Sequence, residues 1–432
     1  MEAATSTARG WRHAVERQAR IEERLALLLE SQHWSERQRA AWTAARLEEQ
    51  LAAAARTRFW RERLPRGGGL TDLPLLEREE LRDHLSEMRA PDAPVVVERR
   101  TSGSTGVPVR MLHGPGTVGF AAATRLRQLS WFRLAAHDHP QVNMRIAASA
   151  GEPLLNRAER EPPLWWLNPY RLDIDSVTYV HRELKGAGGA RLVGAESSLL
   201  ARWAQLSSEA GLDGRELGIR LAIAGGELTY PEQRAAAAEA FGCAVAELYG
   251  SHELSLIGAE CPSGALHVAA EAVLVELLGP DGRALPAGQR GEVVVTLLHN
   301  PELPLLRYRL GDTAEWIEGE CPCGRTLPAL SVAVGRYEQM VLAPGGRLVH
   351  PRFIRSLIEQ LAGHGLRSFH TLQDGPASFR VQLDADALAP GLQDALEAGF
   401  RSYLHAPVSV AIERREAAQA PGGKLRTFSR LI

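Results

Sequence analysis

The sequence predicts an α/β protein with a large N-terminal domain of mixed sheets and helices and a small C-terminal α+β domain. The chain has 432 residues, which exceeds the length at which one hydrophobic core keeps growing. Short apolar runs alternate with helical segments between about Val95 and Ala333, and a smaller alternating unit follows. We therefore divide the chain into residues 1–65, 66–335 and 336–432.

The N-terminal segment, from about Gly10 to Arg63, is rich in Ala, Arg, Glu, Leu and Gln and contains no proline. Its apolar residues recur at helical spacing, as at Leu25, Leu28 and Leu29. We expect two or three helices packed on the main body. A coiled coil is disfavoured because no heptad pattern is sustained.

The main domain contains a strand–helix–strand pattern that is typical of a parallel sheet. Arg220–Ala224 and Val245–Tyr249 are apolar strand patterns, and the helix Pro231–Phe241 between them carries proline in its first turn. Val273–Leu277 and Glu292–Thr296 follow as strands of a hairpin, separated by a turn-rich segment.

The C-terminal unit alternates two helical patterns with two strand patterns. The predicted helices are Pro351–Leu361 and Gly391–Leu404, and the predicted strands are Phe379–Leu383 and Val408–Ile412. The joint near Arg336 is the best candidate for a domain boundary.

Composition excludes several classes of function. Hydrophobic residues make up 45% of the chain and charged residues 24%, which is ordinary for a globular protein. A formal charge of −2 gives no electrostatic reason to bind nucleic acid or an anionic membrane. No apolar run reaches the roughly 18 residues that cross a bilayer, and the N-terminus lacks signal-peptide features. Four cysteines make no disulfide framework, so we expect a reducing cytoplasm.

A glycine- and hydroxyl-rich loop follows the strand pattern Pro94–Val97. Such a loop offers backbone N–H groups and hydroxyl donors to an anion, although a surface turn has the same composition. It is not a Walker-type loop, because no Gly-Lys-Ser/Thr follows. Its residues are Thr101, Ser102, Gly103, Ser104, Thr105 and Gly106.

Four further motifs follow this loop in order. Two of them fall at strand ends, where α/β sheets bind ligands. They are Ala224-Gly225-Gly226-Glu227, Leu248-Tyr249-Gly250-Ser251-His252-Glu253, Leu306-Arg307-Tyr308-Arg309-Leu310-Gly311-Asp312 and Pro421-Gly422-Gly423-Lys424-Leu425-Arg426.

The five motifs together resemble those of the adenylate-forming ligases, and within them the phenylacetate–CoA ligase-like and capsular-polysaccharide-biosynthesis-like branch. The segment Thr71–Leu76 resembles the family's entry segment, and Asn300–Asp312 and Cys323–Pro328 carry the resemblance to that branch. It implies ATP-dependent activation of a carboxylic acid to an acyl-adenylate, with pyrophosphate release, and then transfer to a thiol, most often that of CoA. It also implies Mg²⁺ and a small C-terminal domain that swings between two poses.

The resemblance implies a role for each matching residue. The phosphates would be held by Thr101, Ser102, Gly103, Ser104, Thr105 and Gly106. The adenine pocket would be lined by Gly225, Gly226 and Glu227 beside Tyr249, Gly250 and Ser251. Glu253 would bind Mg²⁺, Asp312 the ribose hydroxyls, Arg336 the ribose or phosphate, and Lys424 the α-phosphate and the attacking carboxylate.

Each role has a plainer alternative. Glu253 and Asp312 would then be solvated carboxylates at a strand end and a turn, and Arg336 and Lys424 ordinary surface cations. Two positions depart from the family pattern. His252 replaces the commoner Thr or Ser, and Glu338 is the nearest candidate for a hinge residue that is usually Asp.

Three cysteines and one histidine form a second constellation. Cys261, His267, Cys321 and Cys323 supply the ligands of a closed tetrahedral site for structural Zn²⁺. The Cys-x-Cys spacing is tighter than the usual pattern, so unrelated thiols are the alternative. The remaining cysteine, Cys243, is expected to be a packed thiol.

The substrate and the acceptor stay open. By their order in the fold, the candidates for lining an acyl pocket are Trp131, Phe132, Ser149 and Ala150. A carrier-protein thiol or an amine could accept the acyl group instead of CoA, and a catalytically retired nucleotide-binding protein is the alternative from another class. The aromatic cluster Trp165-Trp166 is compatible with a homodimer.

Overall fold

The computed structural model describes most of the chain. The described residues are 20–64, 69–91, 97–100, 110–134, 140–144, 153–158, 162–168, 171–226, 229–279, 281–333, 341–342, 344, 348–349, 351, 354, 357–358, 361, 366–385, 388, 390–404, 406–414 and 428–431.

The described α-helices are α1 Ile21–Ser31, α2 Glu36–Ala54, α3 Arg58–Arg61, α4 Arg78–Asp83, α5 Leu85–Met88, α6 Pro115–Trp131, α7 Ile174–Gly186, α8 Ser197–Glu209, α9 Pro231–Phe241 and α10 Leu392–Leu404. The strands are β1 Val97–Arg100, β2 Arg110–His113, β3 Gln141–Met144, β4 Leu155–Ala158, β5 Leu164–Leu167, β6 Leu192–Glu196, β7 Leu221–Gly225, β8 Ala244–Ser251, β9 Ser255–Glu260, β10 Leu266–Val268, β11 Val273–Leu278, β12 Arg290–Leu297, β13 Tyr308–Trp316, β14 Ala329–Ala333, β15 Val341–Leu342, β16 Leu348–Val349, β17 Leu366–Gly375, β18 Ser378–Ala385, β19 Ser409–Arg414 and β20 Phe428–Arg430.

Local sequence explains several helix ends. Helix α2 begins after Ser35, whose hydroxyl accepts from the backbone N–H of Gln38 in a capping box. Helix α9 has proline in its first turn and ends at Gly242, whose φ of 62° lies in the left-handed region that favours glycine. The predicted helix Pro231–Phe241 therefore has the bounds that the structure shows.

A mixed sheet of 12 strands forms the main body, in the order β11-β12-β13-β14-β10-β9-β8-β7-β6-β3-β5-β4. Strands β6, β7 and β8 are parallel neighbours joined by α8 and α9, which confirms the predicted strand–helix–strand unit. Strands β11 and β12 pair antiparallel, as predicted for the hairpin. This arrangement brings the ends of β7 and β8 to one edge of the sheet.

Of the predicted strand Pro94–Val97, only Val97 lies among the described residues, and it begins β1. Strand β1 covers Val97–Arg100 and pairs antiparallel with β2. The loop residues 101–109 connect these two strands and lie outside the described residues.

The N-terminal helices share a core with the main sheet. Leu28, Ala54 and Trp60 belong to one buried cluster with sheet residues such as Val293. The indole N–H of Trp60 donates to the carbonyl oxygen of Pro304 at 2.9 Å. In the part of the chain that the structure describes, no helix is long and apolar enough to cross a membrane.

The C-terminal unit has a separate sheet of four strands in the order β19-β18-β17-β20. The two predicted strands and the second predicted helix are present, whereas β17 and β20 had no counterpart in the sequence prediction. Most of the predicted helix Pro351–Leu361 lies outside the described residues. The division into three domains stays a prediction.

Candidate active site

The candidate nucleotide site lies at the ends of β7 and β8. Gly225 is the last residue of β7, and Gly226 follows with φ of 75°, a backbone conformation that disfavours other residues. The side chain of Tyr249 projects near the end of β8. This is the edge at which parallel strands bind ligands in α/β sheets.

Tyr249 and Asp312 are brought together from different strands. The phenol of Tyr249 donates to Asp312 Oδ2 at 2.9 Å. Burial, together with the neighbouring carboxylate, raises the pKa of Tyr249 well above its usual value of 10, so its hydroxyl stays a donor. Two residues that the sequence assigned to the same nucleotide therefore share one small site.

An irregularity in β13 brings Asp312 to this position. Glu292 pairs with Thr313 while Val294 pairs with Arg309, so β13 has extra residues opposite Val293. Gly311, inside this bulge, has φ of 88°, which favours glycine. Asp312 thus lies within a strand, and the bulge re-aims its carboxylate.

Glu253 lies in the turn between β8 and β9 and is 5% exposed. One of its oxygens, Oε1, accepts a hydrogen bond from Arg78 Nη1. The hydroxyl of Ser251 accepts from the backbone N–H of Leu254 at 3.1 Å and so closes the same turn. A carboxylate with one bound oxygen keeps acceptor capacity for a hard cation such as Mg²⁺.

The four predicted zinc ligands lie together: Cys261 follows β9, His267 is in β10, and Cys321 and Cys323 lie in the loop between β13 and β14. Their ligand atoms lie within 4.8 Å of one another. Cys261 Sγ is 3.7 Å from Cys321 Sγ, and His267 Nε2 is 3.3 Å from Cys323 Sγ. A tetrahedral zinc ion with bonds of about 2.3 Å to sulfur needs sulfur atoms about 3.8 Å apart. The donor set and its spacing therefore fit the ion.

Hydrogen bonds prepare this cluster for a cation. The ring nitrogen Nδ1 of His267 is 3.0 Å from the carbonyl oxygen of Leu327, so it carries the proton and leaves Nε2 free to coordinate. Burial lowers the pKa of His267, which favours the neutral ring. Burial also raises the pKa of the Cys261 thiol to about 11. For Cys323, hydrogen bonds led by the Arg325 backbone outweigh burial and lower the thiol pKa.

Trp131 and Phe132 lie against this cluster. The Trp131 ring is 5.9 Å from that of His267, and its indole N–H donates to Gln32 Oε1 at 2.8 Å. Phe132 packs against the same buried group. Their described contacts are those of a core around the cluster, and their place in an acyl pocket stays a prediction.

Several predicted site residues lie outside the described residues. They are Thr101, Ser102, Gly103, Ser104, Thr105, Gly106, Ser149, Ala150, Glu227, Arg336, Glu338 and Lys424. Their roles stay predictions. Gly250 pairs with Leu256 beside the candidate site, and His252 is exposed at the tip of the Glu253 turn.

Arg307 is a positioning residue that sequence reasoning missed. Its guanidinium binds the Glu276 carboxylate at 3.1 and 3.2 Å and donates to the carbonyl oxygens of Thr71 and Leu73 at 3.0 and 2.7 Å. It therefore holds the chain before α4 against β13. The motif Leu306–Asp312 was recognised in the sequence, but the sequence did not indicate that the Arg307 side chain pairs with the largely buried Glu276 carboxylate.

Comparisons with known proteins support the fold. No family model matches the chain. Over 153 residues the chain is 30% identical to a phenylacetate-coenzyme A ligase of Thermus thermophilus, a match that covers 34% of this chain and 34% of the relative. The match thus spans about a third of that relative's length.

The structural likeness covers most of the chain. One similar structure is that of 2-hydroxyisobutyryl-CoA ligase in the postadenylation state in complex with R3-HIB-AMP. The TM-score is 0.65 at 19% sequence identity, and the alignment covers 93% of this chain and 92% of that ligase. The same ligase with 2-HIB-AMP and CoA in the thioesterification state gives a TM-score of 0.61 and 19% identity, with 93% of each chain covered. The chain has the fold of the adenylate-forming acyl-CoA ligases, as its motifs predicted.

Proposed function

We propose that this protein activates a carboxylic acid with ATP and then transfers the acyl group to CoA. The pairing of Tyr249 with Asp312, at the nucleotide edge of an adenylate-forming fold, is the observation that carries the proposal. Both similar proteins described above are CoA ligases, and one of the neighbouring structures holds 2-HIB-AMP together with CoA.

In the first step, a carboxylate oxygen of the acid attacks the α-phosphorus of ATP. The bond from that phosphorus to the bridging oxygen breaks, and pyrophosphate leaves with the electron pair. Asp312 would accept hydrogen bonds from the ribose hydroxyls, and Tyr249 would stack on the base. Lys424 and Arg336 would offset negative charge around the phosphate, while residues 101–106 would hold the departing phosphates.

In the second step, the sulfur of CoA attacks the acyl carbon. The bond from that carbon to the phosphate oxygen breaks, AMP leaves, and the thiol proton passes to solvent. The poses of the two steps would differ by a rotation of residues 336–432 about Glu338.

Mg²⁺ would be held by Glu253 and by the phosphates of ATP. When bound, the ion neutralises charge on the phosphates. The buried position of Glu253 keeps its carboxylate in one place, which suits a fixed ligand.

Zn²⁺ would be held by Cys261, His267, Cys321 and Cys323 as a structural ion. The closed set of four protein donors leaves no open position for a reacting molecule. Metal analysis of the purified protein should find about one zinc per chain, and no zinc would refute the assignment.

The cellular compartment and the oligomeric state of the protein are also proposals. Cysteines without disulfide partners suit a reducing cytoplasm. A homodimer would be recognised by its mass in light scattering.

An acid-panel assay tests the proposed activity. The panel includes phenylacetate and 2-hydroxyisobutyrate, because these acids belong to the names of the similar proteins. We expect acid-dependent exchange of pyrophosphate into ATP without CoA, and a CoA thioester by mass spectrometry when CoA is present. Exchange without a thioester would favour a carrier-protein thiol or an amine as the acceptor. No exchange with any acid would refute adenylation and leave a nucleotide-binding protein.

A further inference from the structure

The turn that carries Glu253 is held from two sides by residues outside the recognised motifs. This turn, the Glu253 turn, covers residues 251–254 between β8 and β9. Arg78 holds its carboxylate, and His113 holds its backbone. The two residues come from parts of the chain far from the turn in sequence.

Arg78 is the first residue of α4 and forms a largely buried ion pair with Glu253. The side chains of Arg78 and Glu253 are 14% and 6% exposed. A buried carboxylate needs a counter-charge, and a hydrogen bond from a guanidinium also fixes its orientation. Because Arg78 binds Oε1, the other oxygen keeps the capacity to bind a cation.

His113 ties the same turn to the strands around the predicted phosphate loop. It is the last residue of β2 and is 1% exposed. Its Nε2 lies 2.9 Å from the carbonyl oxygen of His252, so Nε2 carries a proton and donates it. Strands β1 and β2 directly precede and follow residues 101–109. One hydrogen bond thus joins the β1–β2 strand pair to the turn bearing Glu253.

We propose that Arg78 and His113 are positioning residues that clamp the Glu253 turn and so hold the magnesium carboxylate in place for the phosphates of ATP. This proposal rests on the proposed function. The clamp acts on the nucleotide's phosphates through Glu253 and has no part in gripping ribose or adenine.

Calorimetry with a non-hydrolysable ATP analogue tests the clamp. The dissociation constant is measured once with Mg²⁺ and once with a chelator. The constant with the chelator divided by the constant with Mg²⁺ is the magnesium-dependent gain in affinity. In R78M we expect this gain to fall about tenfold or more, the order expected for one charge-assisted hydrogen bond. The affinity for AMP, which lacks the β- and γ-phosphates, should change by less than about twofold, since ribose and base contacts remain.

Arg63→Gln is the matched control. Arg63 pairs with Glu80 of the same helix α4 at 3.0 Å, and both side chains are about a third exposed. The control removes a cation that pairs with helix α4 without touching Glu253, and its magnesium-dependent gain should match that of the wild type. If R78M does not fold, R78K keeps the charge but loses the planar fork, and it should show an intermediate loss.

His113 is tested by rescue. His113→Leu removes the donor and should reduce the magnesium-dependent gain, whereas His113→Gln retains an N–H donor and should restore most of it. A loss of equal size in both variants would assign His113 to packing alone.

The outcomes separate the clamp from the proposed function. Magnesium-dependent binding that is equal or tighter in R78M overturns the clamp, and tighter binding would show that the guanidinium competes with Mg²⁺. A wild type that binds the analogue equally well with a chelator overturns the magnesium assignment and the clamp with it. A wild type that binds neither the analogue nor AMP refutes the proposed function itself.

Discussion

At the scale of single residues, the hydrogen bond between Tyr249 and Asp312 fixes the geometry of the candidate nucleotide site. The phenol occupies one carboxylate oxygen of Asp312. A ribose that binds there would either share this carboxylate or replace the phenol. The raised pKa of Tyr249 keeps the phenol protonated across the neutral range, so this arrangement does not change with physiological pH.

Asp312→Ala should weaken AMP binding by about 10–100-fold, because it removes the acceptor of the ribose hydroxyls, and one hydrogen bond to a charged acceptor is worth about 1.5–3 kcal/mol. Tyr249→Phe removes only the phenol hydroxyl and should cost less than about fivefold, since the ring stays available for stacking. Calorimetric titration with AMP measures both variants. Equal losses in the two variants would show that Asp312 acts mainly by holding Tyr249.

Residue types with a distinctive chemistry could be predicted from the sequence, and their partners could not. Cys261, Cys321, Cys323 and His267 stood out because their residue types form a zinc ligand set, and Tyr249 and Asp312 because they lie in motifs that resemble those of the adenylate-forming ligases. Arg78 did not, since one arginine at the start of a short helix is common. Its function comes from Glu253, 175 residues away, and only the folded chain brings the two together.

At the scale of elements, the Cys/His cluster joins the helical N-terminus to the sheet. Its loop, residues 321–328, contacts the end of α1: Thr326 N donates to the carbonyl oxygen of Gln32 at 2.9 Å, and Arg325 Nε donates to Gln32 Oε1 at 3.1 Å. Trp131 of α6 fills the space between them. A metal ion here would therefore stabilise contacts among α1, α6 and β10.

Removing the metal should lower the melting temperature, because the bonds from the cation to its four ligands stabilise the folded chain and are lost. Cys321→Ser should do the same, whereas Cys243→Ser, outside the cluster, should not. Trp131 fluorescence should change on chelation, since its ring lies 5.9 Å from that of His267. Melting curves with and without a strong chelator check this expectation. Unchanged curves and fluorescence would mean that the cluster is stable as free thiols.

A second contact between the helical N-terminus and the sheet should be sensitive to acid. His299 stacks on Phe120 at 4.0 Å, faces Trp42 at 6.0 Å, and donates through Nε2 to the carbonyl oxygen of Glu271 at 2.9 Å. Burial lowers its pKa from 6.5 to about 4, and Arg24 and Arg46 add to this effect.

The sign of this effect follows from linkage. His299 is protonated in the unfolded chain below about pH 6.5, but in the folded chain it is protonated only below about pH 4. Because the unfolded chain binds more protons in this range, the free energy of unfolding decreases as the pH falls. The loss between about pH 7 and pH 5 should be at most about 2 kcal/mol. His299→Gln retains a donor for Glu271 and should remove this part of the pH dependence, as measured by urea unfolding at both values. An equal loss in the variant would assign the acid sensitivity to other groups.

Elements whose pattern repeats locally were predicted with nearly correct bounds, whereas those that depend on distant partners were not. Helix α9 and strands β7 and β8 have apolar periodicity and end signals of their own. Strand β17 is polar at several positions and pairs with β18 and β20, which lie later in the chain. Its pattern alone did not distinguish it from a loop.

At the scale of the whole molecule, the described residues form hydrophobic clusters on either side of the predicted boundary at 335. One cluster is built from residues between Val341 and Phe428, with Phe379 and Phe400 at its centre. The large clusters of the main body draw on residues before 335. The predicted nucleotide residues Tyr249 and Asp312 precede this boundary in the sequence, whereas Lys424 follows it.

This separation predicts that Lys424→Ala lowers the rate of adenylation but leaves AMP binding nearly unchanged. Pyrophosphate exchange should fall by at least about 10²–10³-fold, as for the loss of one donor to a developing charge. AMP affinity should change by less than about threefold, because the ribose and base contacts lie in the main body. Thioester formation from a supplied acyl-adenylate and CoA should persist, because that step does not need Lys424 at the α-phosphate.

The chain supplies a matched control, since its two lysines are Lys185 and Lys424. Lys185 pairs with Glu216 on the surface at 2.8 Å, and its side chain is 53% exposed. Lys185→Ala removes the same charge and should leave exchange unchanged. If Lys424→Ala also left exchange unchanged, Lys424 would have no part in adenylation. If Lys424→Ala abolished AMP binding, Lys424 would contact the nucleotide already in the binding step. Two separate poses would then not be needed to explain the reaction.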